Sequence, residues 1–294
     1  MSIINNAHPG SSIRLLNLID RVLSRREGKS IPRQELIEVC RPESLPGTDT
    51  AAKRFEWNLN FWIEEGLWVE DETGIHMPSD FQRGQALSSR VLSLIIKNAS
   101  DTDITQGSRT EPLLRNICCL LAQDKYTFAG GEVLKSGAAG NCAEAINSRL
   151  PSSMSINVSN EASTMLEYGE FLGFLEPIED NLIVDPTRAV ESVLENVFSE
   201  NKELPAKAFL ELLGKYLPML DGGIYREVIE SLMVDKGWAK PKLPQISSSL
   251  SHALFRLNLG SKITLEQLSD DVNSVSLILP EEKRTASIIK YREA

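Results

Sequence analysis

The clearest structural pattern in the chain is the stretch 53-KRFEWNLNFWIEEGLWVEDETGIHM-77. Its apolar residues recur at i, i+4, i+7 and i+8, which is one face of a helix. Gly66 then offers a C-terminal turn for that helix. The apolar runs Leu67–Val69 and Ile75–Met77 flank a polar turn, as the two strands of a hairpin do. The stretch therefore predicts a helix that leads directly into a β-hairpin.

Two further helices are predicted before this stretch. Ser11 or Ser12 is suited to cap a helix that begins at Ile13, and Pro32 starts a short second helix. Asp49 or Thr50 is expected to cap the third helix. Residues 1–80 thus read as three helices followed by a hairpin.

Residues 112–188 repeat this order of elements by pattern rather than by identity. Placing Gly173 on Gly66 brings Asn181 onto Gly74, at the point where a tight turn needs a positive φ. We interpret this correspondence as an internal repeat.

Residues 189–294 contain several helical stretches and then β-rich runs. The runs 274–279 and 286–291 are expected to pair as a hairpin with a basic tip. The sequence therefore predicts a mainly α protein with short β-hairpins, of the α+β class. Its expected domains are a first domain at 1–80, a helical connector with a flexible boundary at 81–111, a second, acidic domain at 112–188, and a helical region with a C-terminal domain at 189–294.

The charge of the chain is unevenly distributed. The net charge is −10, and residues 105–200 hold six Lys and Arg against fourteen Asp and Glu, a net of −8. A nucleic-acid surface needs local positive potential rather than a basic whole protein. The middle of the chain is therefore disfavoured as a DNA surface, whereas both ends stay open to that role.

Several functional classes find no support in the sequence. No segment approaches the roughly 18 apolar residues of a membrane span, and the N-terminus lacks the pattern of a secretory signal, so a cytoplasmic location is expected. The four cysteines match no zinc or redox spacing and read as buried free thiols. The three histidines lie far apart, and Gly130-Gly131 lacks the residues of a phosphate loop. We expect no metal, no cofactor and no enzymatic activity.

The tryptophans of the opening stretch have different expected roles. Trp62 and Trp68 fit the core at the junction of helix and hairpin. Trp57 leaves the apolar face, so either the core or base stacking stays open for it.

The order of three helices and a hairpin resembles the winged-helix domain, and the whole chain resembles tandem winged-helix proteins with two or three copies. In that superfamily the third helix usually enters the major groove and the hairpin contacts the DNA backbone. Arg suits guanine edges and Asn suits adenine. The resemblance implies these DNA-binding residues: Lys53, Arg54, Asn58 and Asn60 on the first unit, and Ser249, His252, Arg256, Lys283 and Arg284 on the third. The acidic hairpin Glu70–Glu72 departs from the pattern, because carboxylates repel phosphate.

The third helix of the second unit departs further from the DNA-binding pattern, since it carries Glu161, Glu167 and Glu170 and no basic residue. It looks like a winged helix used for protein contact. Acidic tandem chains of this kind resemble the accessory subunits that bind the kleisin of bacterial SMC complexes. The layout also resembles small accessory proteins of prokaryotic defence islands, including the G component of the dpd cluster, which inserts deazaguanine into DNA. That likeness rests on size, helical content and the ending ITLEQLSDD…SVSLILP…SIIKY.

Two functions follow from these resemblances. The first is a non-catalytic, DNA-associated winged-helix protein that serves as a DNA-engaging accessory subunit of a prokaryotic antiviral defence or DNA-modification system. The second is an acidic adaptor that binds a protein partner, and a transcriptional regulator is a further alternative. The expected partners are DNA and a larger protein, such as an ATPase or a helicase, with no membrane. Dimerisation through residues 81–97 also stays open.

Overall fold

The computed structural model describes residues 1–26, 28–42, 48–99, 103–137, 139–241, 244–268, 274–280 and 283–292. Within these residues the α-helices are α1 (Ile13–Ser24), α2 (Arg33–Cys40), α3 (Asp49–Glu65), α4 (Leu87–Ala99), α5 (Glu111–Leu121), α6 (Cys142–Asn147), α7 (Ala162–Phe171), α8 (Thr187–Glu191), α9 (Leu194–Val197), α10 (Ala206–Tyr216), α11 (Ile224–Val234) and α12 (Ser248–Leu259). The strands are β1 (Val69–Asp71), β2 (Gly74–His76), β3 (Leu175–Ile178), β4 (Asn181–Val184), β5 (Glu203–Pro205), β6 (Ile263–Glu266), β7 (Val275–Ile278), β8 (Lys283–Ala286) and β9 (Ile288–Tyr291). Helices joined by small antiparallel sheets make this an α+β fold, as predicted.

The first unit (residues 1–80) contains α1 to α3 and the hairpin β1–β2. The cap of α3 is Thr48, not Asp49 or Thr50, because the Thr48 hydroxyl accepts the backbone N–H of Ala51 at 3.2 Å. Gly66 ends α3 with φ +92°, in the left-handed region that favours glycine. A single residue between α1 and α2, Ile31, pairs with Ile75 of β2.

The second unit (residues 112–188) follows the same order. It contains α5, α6, α7 and the hairpin β3–β4, and Leu134 pairs with Leu182 of β4 as Ile31 pairs with Ile75. Gly173 ends α7 with φ +86°. The positive φ of the hairpin lies at Glu179 (+51°) and not at Asn181, because the two-residue turn comes before Asn181.

The third unit (residues 189–294) differs from the prediction in its strand pairing. Of the run 286–291, only Ala286 pairs with the run 274–279 in the described residues, because β7 pairs with β8, which ends at Ala286. The rest of that run forms β9, which lies between β5 and β6. The reason is that β9 pairs with β5, which lies about eighty residues earlier in the chain. Such a long-range pairing leaves no mark in the local sequence.

All three units contribute to one hydrophobic core. Trp62 and Trp68 are buried in it, as expected. Hydrogen bonds also cross between units: the Tyr168 hydroxyl donates to the carbonyl of Gly10 at 2.5 Å, and the Trp238 indole N–H donates to that of Ala122 at 3.1 Å. Within the predicted flexible boundary, Ile104 is buried, whereas residues 100–102 lie outside the described part.

Candidate functional site

The start of α3 offers an open basic surface. Lys53 and Arg54 are exposed, and neither has a carboxylate partner among the residues that the structure describes. Trp57, one turn after Lys53 on the same face, is 51% exposed. An exposed ring beside cations can stack on a base while the cations contact phosphates.

Asn58 does not share this surface, although the helical pattern places it there. Its side chain is fully buried, and its amide donates to the carbonyl of Pro9 at 2.9 Å. The cause is the N-terminal segment 3–11, which covers the side of α3 that the hairpin leaves open. Asn58 therefore holds this segment in place rather than facing solvent.

Asn60 is exposed but engaged by a neighbouring side chain. The guanidinium of Arg33, at the start of α2, donates to Asn60 at 2.8 Å and to both carboxylate oxygens of Glu70 at 2.8 and 2.5 Å. These bonds lower the pKa of Glu70 and offset its charge. The hairpin is therefore less repulsive to phosphate at Glu70 than the sequence suggests.

Most side chains of the predicted reading helix of the third unit, α12, are buried. Ser249 is buried, and its hydroxyl donates to the carbonyl of Leu121 at 2.8 Å. The ring of His252 stacks on Phe128 with 4.3 Å between centroids, and burial lowers the pKa of its imidazole. Arg256 forms an ion pair with buried Asp185. These three residues thus join the third unit to the second and do not form an open DNA surface.

The basic hairpin tip of the third unit is described only in part. The Arg284 guanidinium lies over the ring of Phe255 at 5.7 Å from its centroid, which fixes β8 against α12. The side chain of Lys283 lies outside the described part of the structure.

The second unit carries an acidic groove between α7 and the turn of β3–β4. The groove has a volume of about 280 Å³, and four acidic residues line it, namely Glu167, Glu170, Glu179 and Asp180. Glu161 lies apart from them, because its carboxylate accepts the backbone N–H of Asn157 at 2.9 Å at the entry to α7. Two of the three glutamates predicted for protein contact therefore share one surface with two acidic residues of the hairpin turn.

The side chains that could hold a metal or act as nucleophiles do not form a site in the described residues. There, no group of three or more His, Cys, Asp or Glu could hold a metal ion. Cys118, Cys119 and Cys142 are buried free thiols, and burial raises the pKa of Cys119 and of Cys142 to about 12. Such thiols are poor nucleophiles and poor metal ligands. No described helix is both long enough and apolar enough to cross a membrane.

A family model described as DpdG-like matches residues 1–271. The chain belongs to the DpdG-like family. This confirms the resemblance to the G component of the dpd cluster and gives the DpdG-like chain a context of prokaryotic DNA modification and defence. No curated protein and no solved structure matches the chain.

The structure of this DpdG-like chain adds residues that the sequence reasoning missed. From the sequence, Arg33 could be recognised only as a residue at a helix start. Its hydrogen bonds to Glu70 and Asn60 depend on the folded hairpin. Glu179 and Asp180 stand between two apolar strand runs, where a polar turn was expected. That pattern could have marked them as an acidic hairpin tip beside Glu167 and Glu170.

Proposed function

We propose that this chain is a non-catalytic accessory subunit of a prokaryotic DNA-modification and defence system, in which it docks a protein partner. Membership of the DpdG-like family supports the setting. The acidic groove of the second unit supports the docking role, because it is the surface where predicted contact residues and the hairpin turn come together. The partner would be a larger protein, such as an ATPase or a helicase, that offers a basic segment.

The strand order of each unit supports a winged-helix architecture for this scaffold. In the first two units a single residue pairs with the second hairpin strand, which pairs with the first. In the third unit β5 pairs with β9, which pairs with β6. The same order in all three units, each with a helix before its hairpin, is what a tandem of winged helices would have.

Charge explains why the second unit would bind protein rather than DNA. Four carboxylates on one groove create a negative potential that repels phosphates and attracts Lys and Arg. Complementary charge across an interface speeds association and selects the partner. A basic helix or strand laid between α7 and the hairpin would fit this chemistry.

Co-purification tests the docking role. The chain is expressed with the products of its neighbouring genes, and a Glu167→Lys, Glu170→Lys variant is compared with a control, Glu200→Lys, Asp235→Lys, whose positions are exposed and outside the groove. We expect the first variant to lose its partner and the control to retain it. A chain that purifies alone, or a partner indifferent to the groove variant, would exclude this docking site.

DNA contact at the start of α3 is a second candidate function, favoured by Lys53, Arg54 and the exposed Trp57. Its affinity would fall steeply between about 50 and 200 mM salt, as phosphate contacts require. A Lys53→Glu, Arg54→Glu variant is expected to weaken duplex binding in a fluorescence titration. Unchanged binding by that variant would remove α3 as the DNA-contacting element.

A further inference from the structure

A second basic surface lies along the start of α4, apart from the basic surface of α3 and the acidic groove of the second unit. Two cavities of about 490 and 570 Å³ meet at Gln85, which lines both. The first lies against the end of α1, and the second against α8, α9 and the C-terminal strand β9. Together they form one groove, here called the α4 groove, that runs from the first unit to the third.

The charge of the α4 groove is opposite to that of the chain. Six basic residues line it against three acidic ones, a net of +3 in a chain of net −10. The basic residues are Arg25, Arg83 and Arg90 at the first end and Lys202, Lys262 and Arg292 at the second. A local positive potential of this kind is what a polyanion requires.

At the first end, part of the positive charge belongs to Arg90, whose side chain is largely buried. One Nη of Arg90 donates to Asp20 at 2.6 Å, and its guanidinium lies over Phe81 at 4.9 Å from the ring centroid. The other two guanidinium nitrogens of Arg90 are buried without a partner among the described residues. Asp20 also accepts the indole N–H of Trp68, so its charge is shared. Exposed Arg25 adds a second cation, and no described carboxylate pairs with it.

At the second end the cations are arranged around an aromatic ring. Tyr291 stacks on Phe198 with 5.4 Å between centroids, and the Lys202 ammonium lies over the Tyr291 ring at 5.1 Å. Arg292 donates to the Thr264 hydroxyl at 2.6 Å and has no carboxylate partner in the described part of the chain. Two acidic residues line this end, and one of them, Glu191, is paired with Lys262 at 3.0 Å.

We propose that the α4 groove binds the phosphodiester backbone of a nucleic acid. Basic residues at both ends would contact successive phosphates, and the hydroxyls of Ser24 and Ser89 and the amide of Gln85 would donate to further phosphate oxygens. Such contacts carry no base specificity, so the surface binds regardless of sequence. This inference goes beyond the docking function and does not depend on it.

The length of the groove favours a polyanion over a small anion. A single phosphate would occupy only one end of the groove, whereas a nucleic-acid strand repeats its charge along the whole groove. An acidic peptide shares the charge but not the regular spacing of phosphates. Competition with polyglutamate in the test distinguishes such a peptide from a nucleic acid.

The test measures binding of a labelled duplex and a labelled single strand, each of about 20 nucleotides in length, by fluorescence anisotropy from about 50 to 200 mM salt. Arg25→Gln and Arg292→Gln each remove one cation from opposite ends of the groove. Lys236→Gln is the matched control, since Lys236 is exposed and outside the groove. We expect each groove variant to weaken binding by about tenfold at the lowest salt and to reduce the salt slope by about one.

Three results would overturn the proposal. In the first, the groove variants bind as the control does. In the second, only Lys53→Glu, Arg54→Glu weakens binding, which would assign nucleic-acid contact to α3 alone. In the third, polyglutamate displaces the nucleic acid at equal charge concentration. Arg25→Lys keeps the charge and should restore binding, so that a loss caused by misfolding of Arg25→Gln is recognised.

Discussion

At the scale of single residues, His8 shows how burial sets a pH response. Its Nδ1 accepts the backbone N–H of Gly10 at 3.0 Å, and its ring packs edge-on against Phe61 with 4.8 Å between centroids. Burial, the N-terminal ammonium and Arg109 lower the pKa of His8 from 6.5 to about 4. As the pH falls, the unfolded state therefore takes up this proton before the folded state does.

His8 thus contributes stability that is fully present above pH 6.5 and is lost between pH 6.5 and about 4. Asn in place of His8 can still accept from Gly10 but does not titrate. We expect the wild type to lose about 1 kcal/mol more unfolding free energy than His8→Asn between about pH 7.5 and 5, a value reduced because the ring is partly exposed to solvent. Urea unfolding at both pH values measures this. Equal losses in the two proteins would contradict the assignment.

The buried ion pair of Arg226 and Glu230 could not be predicted from the sequence. Arg226 and Glu230 stand four apart on α11 and look like an ordinary surface pair, yet both are buried and bonded at 2.5 Å. Burial alone would lower the pKa of Arg226, but the carboxylates of Asp221 and Glu230 raise it. The sequence could not predict this, because the α5 helix that packs against α11 is about a hundred residues away.

At the scale of elements, periodicity predicted which helices exist but not what covers them. The apolar face of α3 and its end at Gly66 were readable because both depend on local spacing. The burial of Asn58 and Ser249 depends on segments far away in the chain, namely residues 3–11 and α5. Lys53 and Arg54 are exposed, as the helical pattern predicts, whereas distant parts of the chain bury most side chains of α12.

The close approach of the N-terminal segment to α3 gives a prediction for this element. A Cβ built at Gly10 would lie 2.6 Å from Cδ1 of Phe61, whose ring is held between His8 and Trp62. Gly10→Ala should therefore lower the unfolding free energy by about 1–3 kcal/mol, the usual cost of overpacking. Thermal or urea unfolding measures the change.

Gly260→Ala is the matched control for this substitution. Gly260 has φ −75°, and a methyl group there would meet nothing closer than 3.4 Å. Its unfolding free energy should stay within about 0.5 kcal/mol of the wild type. If Gly10→Ala were as stable as this control, the segment 3–11 would not be packed against α3 as described.

At the scale of the whole molecule, the units are linked through buried hydrogen bonds as well as through a common core. Tyr168 of the second unit is fully buried and donates to Gly10 of the first, and Tyr225 of the third unit donates to Ala99 of α4 at 2.9 Å. Links of this kind should make the units unfold together, so that the acidic groove and the α4 groove keep a fixed relative position.

Tyr168→Phe tests this coupling. The change leaves the buried carbonyl of Gly10 without its donor, which costs about 1–3 kcal/mol. In a Trp238→Phe background the three remaining tryptophans all report on the first unit, whereas circular dichroism reports on every helix. We expect both signals to shift by the same amount, although the substituted side chain lies in the second unit. Tyr216→Phe is the control, since its ring is 40% exposed and the described residues give its hydroxyl no partner.

The decisive observation is whether the fluorescence and circular dichroism transitions shift together. If tryptophan fluorescence kept its midpoint while circular dichroism shifted, the first unit would unfold independently, and the link through Gly10 would not couple the units. A common shift would mean that the loss of one hydrogen bond lowers the stability of all three units together. The chain would then act as one rigid scaffold, which an adaptor needs in order to hold a protein partner at one surface and a nucleic acid at another.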